Sequence, residues 1–135
     1  DESAVIKKSI SKWSQKEILG HLIDSASVNY NRIINALSKD DLIFATYPQN
    51  EWVELQSYNT RDWNELLELW KSLNLHIVEL TKNIPIGKRI QLTNSHNFDT
   101  ICWEKVNKDQ KSSLDYLIKD YIGHLEHHLK QIYDY

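Results

Sequence analysis

Two histidines one helical turn apart are the residues of this sequence best suited to chemistry. They are His124 and His128, in the segment HLEHH near the end of the chain. Residues four apart lie on one side of a helix, so both imidazoles can point at one divalent cation. Leu125 stands where a His-Glu-x-x-His zinc peptidase needs its general-base Glu, which excludes that class. The pair therefore predicts a metal site of another kind, the alternative being two solvated or hydrogen-bonded histidines.

A third ligand has to come from another helix, because two imidazoles bind a metal ion weakly. His21 is the leading candidate. It shares a mixed face with Ser25, Val28 and Arg32 beside an apolar stripe, a pattern typical of the wall of a hydrated cavity and equally of an exposed helix surface.

Supporting residues are fewer and more ambiguous. Asp24, three positions after His21, can orient an imidazole or pair with a surface cation, and Gln131, three positions after His128, is similarly open. His127 falls outside the apolar arc of its helix and is expected to be solvated. Cys102 has no activating partner in the sequence, so it is not predicted as a nucleophile. No general acid or base is identified.

Three long amphipathic helices must position these residues. With Gly 3 and Pro 2 the chain has few helix breakers, and the apolar periodicity predicts helices over 15–37, from 59 or 60 to 82, and from 112 or 113 to 133. Ser14 with Glu17, and Ser112 with Asp115, have the spacing of capping boxes. The sequence thus predicts a mainly α protein in which the helices pack as an antiparallel bundle.

The connections carry weaker signals. Pro48 can open a short helix that extends through Leu55. The β-leaning runs RIQLT (89–93) and TICWEKV (100–106) predict a small hairpin between the last two long helices.

Composition limits the class of protein. The chain has 135 residues, 41% hydrophobic and 26% charged, with a net charge of −3 and one cysteine, which predicts a single domain over residues 1–135. A disulfide scaffold is excluded, and interspersed charges disfavour a nucleic-acid partner. No run is apolar enough for a membrane span or a secretory signal, so we expect a cytoplasmic protein. The chain starts at Asp1 and has no Met, so we also expect that a segment upstream is missing.

Three blocks of the sequence resemble the DinB-like superfamily of metalloenzymes, also called DinB/YfiT-like. They are WSQKEILGHLIDSASVNYNRI (13–33), YPQNEWVELQSYN (47–59) followed by LLELWKSLNLHIVELTKNIP (66–85), and SLDYLIKDYIGHLEHHLKQI (113–132). The most specific parts are His-Leu-x-Asp-Ser and His-x-x-x-His-x-x-Gln-Ile. The blocks span most of the chain in the order typical of that superfamily.

The resemblance implies an up-down four-helix bundle with one divalent metal held by His21, His124 and His128. Members are commonly dimers, and relatives include thiol-dependent S-transferases, a thiol-dependent isomerase and hydrolases. A full helix usually precedes the Trp-Ser motif in such chains, whereas only residues 1–12 precede Trp13 here. The N-terminal helix is therefore expected to be truncated, with Glu2 to Ile10 as its last turns.

The residues and the resemblance together predict a metal-dependent hydrolase or low-molecular-weight-thiol transferase that acts on a small molecule. The expected cofactor is Zn²⁺ or Ni²⁺, with Asp24 and Gln131 as supporting residues and a homodimer as the assembly. The alternative is a non-catalytic stress-response or small-ligand-binding module in which the metal is structural or absent, or a bare dimerisation bundle.

Overall fold

Three long helices make up the body of the protein. They are α1 (Gln15–Ala36), α3 (Trp63–Lys82) and α6 (Leu114–Tyr133), in a computed structural model that describes residues 2–135. Short helices α2 (Gln49–Leu55), α4 (Ile86–Ile90) and α5 (Phe98–Ile101) lie in the connections. The prediction of a mainly α protein is confirmed.

The start of α1 follows the predicted chemistry. Ser14 is the N-cap: its hydroxyl accepts from the backbone N–H of Glu17, whose carboxylate accepts from the N–H of Ser14. The Ser14 hydroxyl also donates to Asn59. The helix ends within a residue of the predicted boundary, and the short helix predicted after Pro48 is formed by α2.

The start of α3 differs from the prediction, whereas the start of α6 lies within one residue of it. Residues 58–60 form a 3₁₀ turn entered through Ser57 at a left-handed φ of 50°, so α3 begins later, with Asp62 as its N-cap. The cap of α6 is Ser113, and the capping box predicted at Ser112 is wrong. The backbone of Ser112 is instead committed to a pair of hydrogen bonds with Thr93.

The long helices do not simply alternate in direction. The Lys16 ammonium donates to the carbonyl of Arg61, and the Tyr30 ring lies 4.8 Å from the His76 ring, so α1 and α3 run parallel. Gln15, at the start of α1, donates to the carbonyl of Ile132 near the end of α6. The helical bundle is confirmed, with α6 antiparallel to the other two and a long crossover at 37–62 replacing one step of the up-down order.

The hairpin predicted between 89 and 106 is absent from residues 2–135, where strands are limited to two isolated bridges, Leu42 with His96 and Thr93 with Ser112. The run at 89–93 starts within the end of α4, and the run at 100–106 starts within the end of α5. In the run at 100–106 a side chain takes the place of a partner strand. The Asp120 carboxylate accepts from the backbone N–H groups of Trp103 and Glu104 at 2.9 and 2.8 Å.

The edge of the bundle before α1 contains one 3₁₀ turn, Glu2–Val5, in place of the last turns of a long helix. Lys8 fastens this segment to the end of α6, because its backbone N–H donates to the Tyr135 hydroxyl and its ammonium to the carbonyl of Asp134. Across residues 2–135, every helix is too short or too polar to cross a membrane.

Candidate metal centre

Three imidazoles from two helices meet at the middle of the α1–α6 interface. One nitrogen from each of His21, His124 and His128 lies within 4.8 Å of the other two. The Nε2 atoms of His21 and His124 are 3.3 Å apart, and the ring centroids of the three pairs are separated by 4.6 to 5.1 Å. The structure thus brings together the three histidines that the sequence singled out.

The three rings are kept in the neutral form that binds metal ions. His21 is 0% exposed, and burial, reinforced by the two neighbouring histidines, lowers its pKa to about 3. Burial with the charges of His128 and His127 lowers the pKa of His124 to about 4. Burial also lowers the pKa of His128. At neutral pH all three imidazoles therefore retain a lone pair.

Gln131 holds the ring of His128 in one tautomer. Its amide Oε1 accepts from Nδ1–H of His128 at 2.7 Å, which leaves Nε2 of that ring as the lone-pair atom. The amide Nε2 donates in turn to Nε2 of exposed His127 at 3.3 Å. His127, predicted to be solvated, thus lies outside the cluster but contacts the residue that orients one of its members.

Asp24 takes no part in the cluster. Its Oδ1 accepts from the Tyr58 hydroxyl at 2.7 Å and from the Gln56 amide at 2.8 Å, while Oδ2 is buried without a hydrogen-bond partner in the described residues. Burial raises the pKa of this carboxyl group. Asp24 ties α1 to the segment after α2, so neither of the roles considered for it from the sequence is seen in the structure.

Two observations indicate that the cluster suits a metal ion, namely the chemistry of its donors and one buried nitrogen without a hydrogen-bond partner in residues 2–135. Nδ1 of His21 is buried and has no hydrogen-bond partner among the described residues, a costly state unless a ligand or a change of ring orientation satisfies it. Three neutral imidazoles are a donor set that suits Zn²⁺, Ni²⁺, Cu²⁺ and Fe²⁺. Catalytic zinc sites carry three protein ligands, whereas structural sites carry four.

Two cavities adjoin the histidines. One, of about 390 Å³, lies between α1, α6 and the connections and reaches His124 and His128. The other, of about 500 Å³, lies by the N-terminal segment and is lined by residues that include Trp13, His128 and Gln131. A small molecule in either cavity can therefore contact the cluster.

Two tryptophans enclose the cluster. The Trp13 ring lies 4.8 Å from the His21 ring, and the Trp103 ring lies 6.1 Å from that of His124. Neither tryptophan is among the ligands and supporting residues expected from the sequence. The position of Trp13 next to the N-cap, two helical turns before His21, is the signal that could have placed it here.

Comparison with known proteins shows a likeness in structure. The sequence matches no model of a protein family and no curated protein. The structure is similar to that of YfiT from Bacillus subtilis, described as a probable metal-dependent hydrolase with an unusual four-helix bundle topology. The TM-score is 0.78 at 18% identity, over 99% of this chain and 71% of the other. The chain therefore has the fold of the YfiT structure, as the resemblance to DinB/YfiT-like proteins predicts.

Proposed function

We propose that this chain is a metal-dependent hydrolase of small molecules whose divalent ion, Zn²⁺ or Ni²⁺, is held by His21, His124 and His128. The observation that carries the proposal is the convergence of one nitrogen from each ring within 4.8 Å at the border of two cavities. The likeness to YfiT and the resemblance to the DinB-like superfamily support it, and we infer membership of that superfamily from both.

The bound ion would supply Lewis acidity. Because its three ligands are neutral, its charge would stay intact and could lower the pKa of a bound water from 15.7 to about 7. The chain's own residues supply position. Gln131 fixes the tautomer of His128 through its 2.7 Å hydrogen bond, and Trp13 and Trp103 cover the rings. Burial raises the pKa of Cys102 to about 12, which excludes the thiolate as a competing nucleophile at neutral pH.

Metal analysis of protein purified without chelator tests the proposal. We expect about one equivalent of divalent metal in the wild-type protein, and loss of it in a His124→Ala, His128→Ala double variant. His76→Ala is the matched control, because His76 lies on α3 against Tyr30, away from the cluster. Equal metal content in the wild-type protein and the double variant would refute the proposal.

Transfer of a low-molecular-weight thiol is the second candidate reaction. The observation that favours it is the pair of cavities that meet at His128, since a transferase has to hold two reactants. A hydrolase would release product from an activated ester without added thiol, whereas a transferase would require the thiol and form a thioether or thioester. Product analysis with and without thiol separates the two reactions.

A non-catalytic module remains the competing class of function. It predicts either no metal or a structural metal whose ligands are all protein groups, whereas the metal-ligating group found in residues 2–135 has three members.

We also propose a homodimer in the cytoplasm, in line with the resemblance. Exposed Leu67, Leu75 and Val78 on one side of α3 suit a subunit contact, and light scattering with a Leu75→Asp variant tests it.

A further inference from the structure

A buried arginine stands at the wall of the cavity that reaches His124. We call this space the Arg32 cavity; it has a volume of about 390 Å³ and is lined by residues that include Ser25, Asn29, Arg32, Tyr47, Asp120 and His124. Arg32 follows His21 by eleven positions on α1 and is 7% exposed. A guanidinium and the histidine cluster thus border the same cavity.

Arg32 lacks the partners that a buried guanidinium normally has. Its five N–H groups can all donate, yet its one hydrogen bond within residues 2–135 runs from Nη2 to the carbonyl of Ala45 at 2.9 Å. Nε is buried without a partner, and none of the described carboxylates lies within ion-pair distance of the side chain. Burying a cation in this way is costly unless a ligand completes its hydrogen bonds.

The groups that face Arg32 do not neutralise it. Its acidic neighbours are Tyr47, Cys102 and Asp120. Burial raises the pKa of both Tyr47 and Cys102 to about 12, so these two are neutral at pH 7. The Asp120 carboxylate forms no ion pair with Arg32, and each of its oxygens accepts a backbone N–H, from Trp103 or Glu104. Lys105 adds a second positive charge to the lining, so the cavity has a net positive charge.

We propose that Arg32 binds a carboxylate group of the substrate, so that the substrates of this centre are small carboxylic acids whose reactive group lies toward the histidines. The planar guanidinium fork matches a carboxylate in a two-point hydrogen bond. The formal charges of Arg32, Lys105 and Asp120 leave one net positive charge in the lining, which matches a carboxylate monoanion rather than a phosphate dianion. The reaction of such a substrate rests on the proposed hydrolase function, but the binding of its carboxylate does not require the metal.

The test is an NMR titration of the metal-free protein, in which the Arg32 Nε–H and Trp103 indole signals report on the cavity. The probe is propionate, with propionamide as its neutral counterpart and inorganic phosphate as the alternative anion. We expect propionate to shift both signals and propionamide to leave them unchanged. Phosphate is expected to bind more weakly than propionate.

Variants locate the binding site. Arg32→Gln should weaken propionate binding by roughly tenfold or more, the usual effect of losing hydrogen bonds to a charged group, and Arg32→Lys should recover part of it. Arg61→Gln is the control, since Arg61 is a surface residue paired with Glu65, and should bind as the wild type does. If Arg32→Gln fails to fold through loss of its bond to Ala45, the wild-type Nε–H signal still decides the question.

Several results would overturn the proposal: no shift of the Arg32 signal at saturating propionate, equal binding of propionamide, tighter binding of phosphate, or unchanged affinity in a folded Arg32→Gln variant. Metal content of the His124→Ala, His128→Ala protein is measured separately. If the wild-type protein and this double variant contain equal amounts of metal but the wild-type protein still binds propionate, the hydrolase function alone is refuted.

Discussion

Replacing Gly20 by alanine should strongly destabilise the protein, because the ring of Tyr58 lies directly on that glycine. A Cβ at Gly20 would fall closer than 3.0 Å to three carbon atoms of the Tyr58 ring. The ring is 1% exposed and is held at its far end by the bond from its hydroxyl to Asp24. It therefore cannot move aside without breaking that buried hydrogen bond.

The size of the effect follows from three contributions. Overpacking of a buried site costs about 1–3 kcal/mol, and breaking the buried hydrogen bond from the Tyr58 hydroxyl to the Asp24 carboxyl group costs about 1–3 kcal/mol. The helix propensity of alanine returns about 1 kcal/mol relative to glycine. We expect a net loss of about 3 kcal/mol in the free energy of unfolding, or a fall in Tm of roughly 10 °C for a domain of this size.

Urea denaturation of the Gly20→Ala variant measures this loss. Gly87→Ala is the matched control, because a Cβ at Gly87 meets nothing within 4 Å and the change should stay within about 1 kcal/mol of wild type. In a Tyr58→Ala background the Gly20→Ala step should no longer destabilise the protein and should gain up to about 1 kcal/mol from helix propensity. If Gly20→Ala is no more destabilising than Gly87→Ala, the close packing of Tyr58 on α1 is refuted.

Three further predictions concern the cluster and its surroundings. Gln131→Leu removes the acceptor for Nδ1–H of His128 and should weaken metal affinity by about tenfold or more in a chelator competition, whereas an unchanged affinity would contradict the orienting role. Metal-free protein should lose stability from pH 6.5 toward pH 3, because unfolded His21 takes up a proton at its ordinary pKa of 6.5 whereas the folded residue, with a pKa of about 3, does not. His21 alone contributes a slope of about 1.4 kcal/mol per pH unit, and the lowered pKa values of His124 and His128 add to it. His21→Gln should reduce the slope, and an equal slope in that variant would contradict the reasoning. Asp120→Ala removes the acceptor of two backbone N–H groups and should speed hydrogen exchange at Trp103 while leaving α3 unchanged.

The helices and the histidine pair were accessible from the sequence because both depend on local rules. The cap of α1 is set by Ser14 and Glu17, three residues apart, and α1 follows within one residue of its predicted end. His124 and His128 share a side of α6 by helical periodicity alone. Such features need no knowledge of what lies across the bundle.

Features that depend on distant partners were not accessible in this way. The run at 100–106 has strand propensity, but Asp120 of α6 supplies its backbone acceptors and removes the need for a second strand. The Arg32 cavity combines residues from α1, the crossover, the segment after α5, and α6. The role of Asp24 was likewise decided by Tyr58, which the sequence analysis did not connect with it.

The crossover at 37–62 lines the Arg32 cavity, whereas the long helices hold the histidines. Helices α1 and α6 carry the three imidazoles, while the crossover contributes Tyr47 and Gln49 to the Arg32 cavity and touches α1 through Ala45. Exchanging residues of this one segment should thus retune which molecules enter, without disturbing the histidines on the rigid helices. Directed evolution of this protein toward new substrates would accordingly do best with libraries confined to positions 45–49.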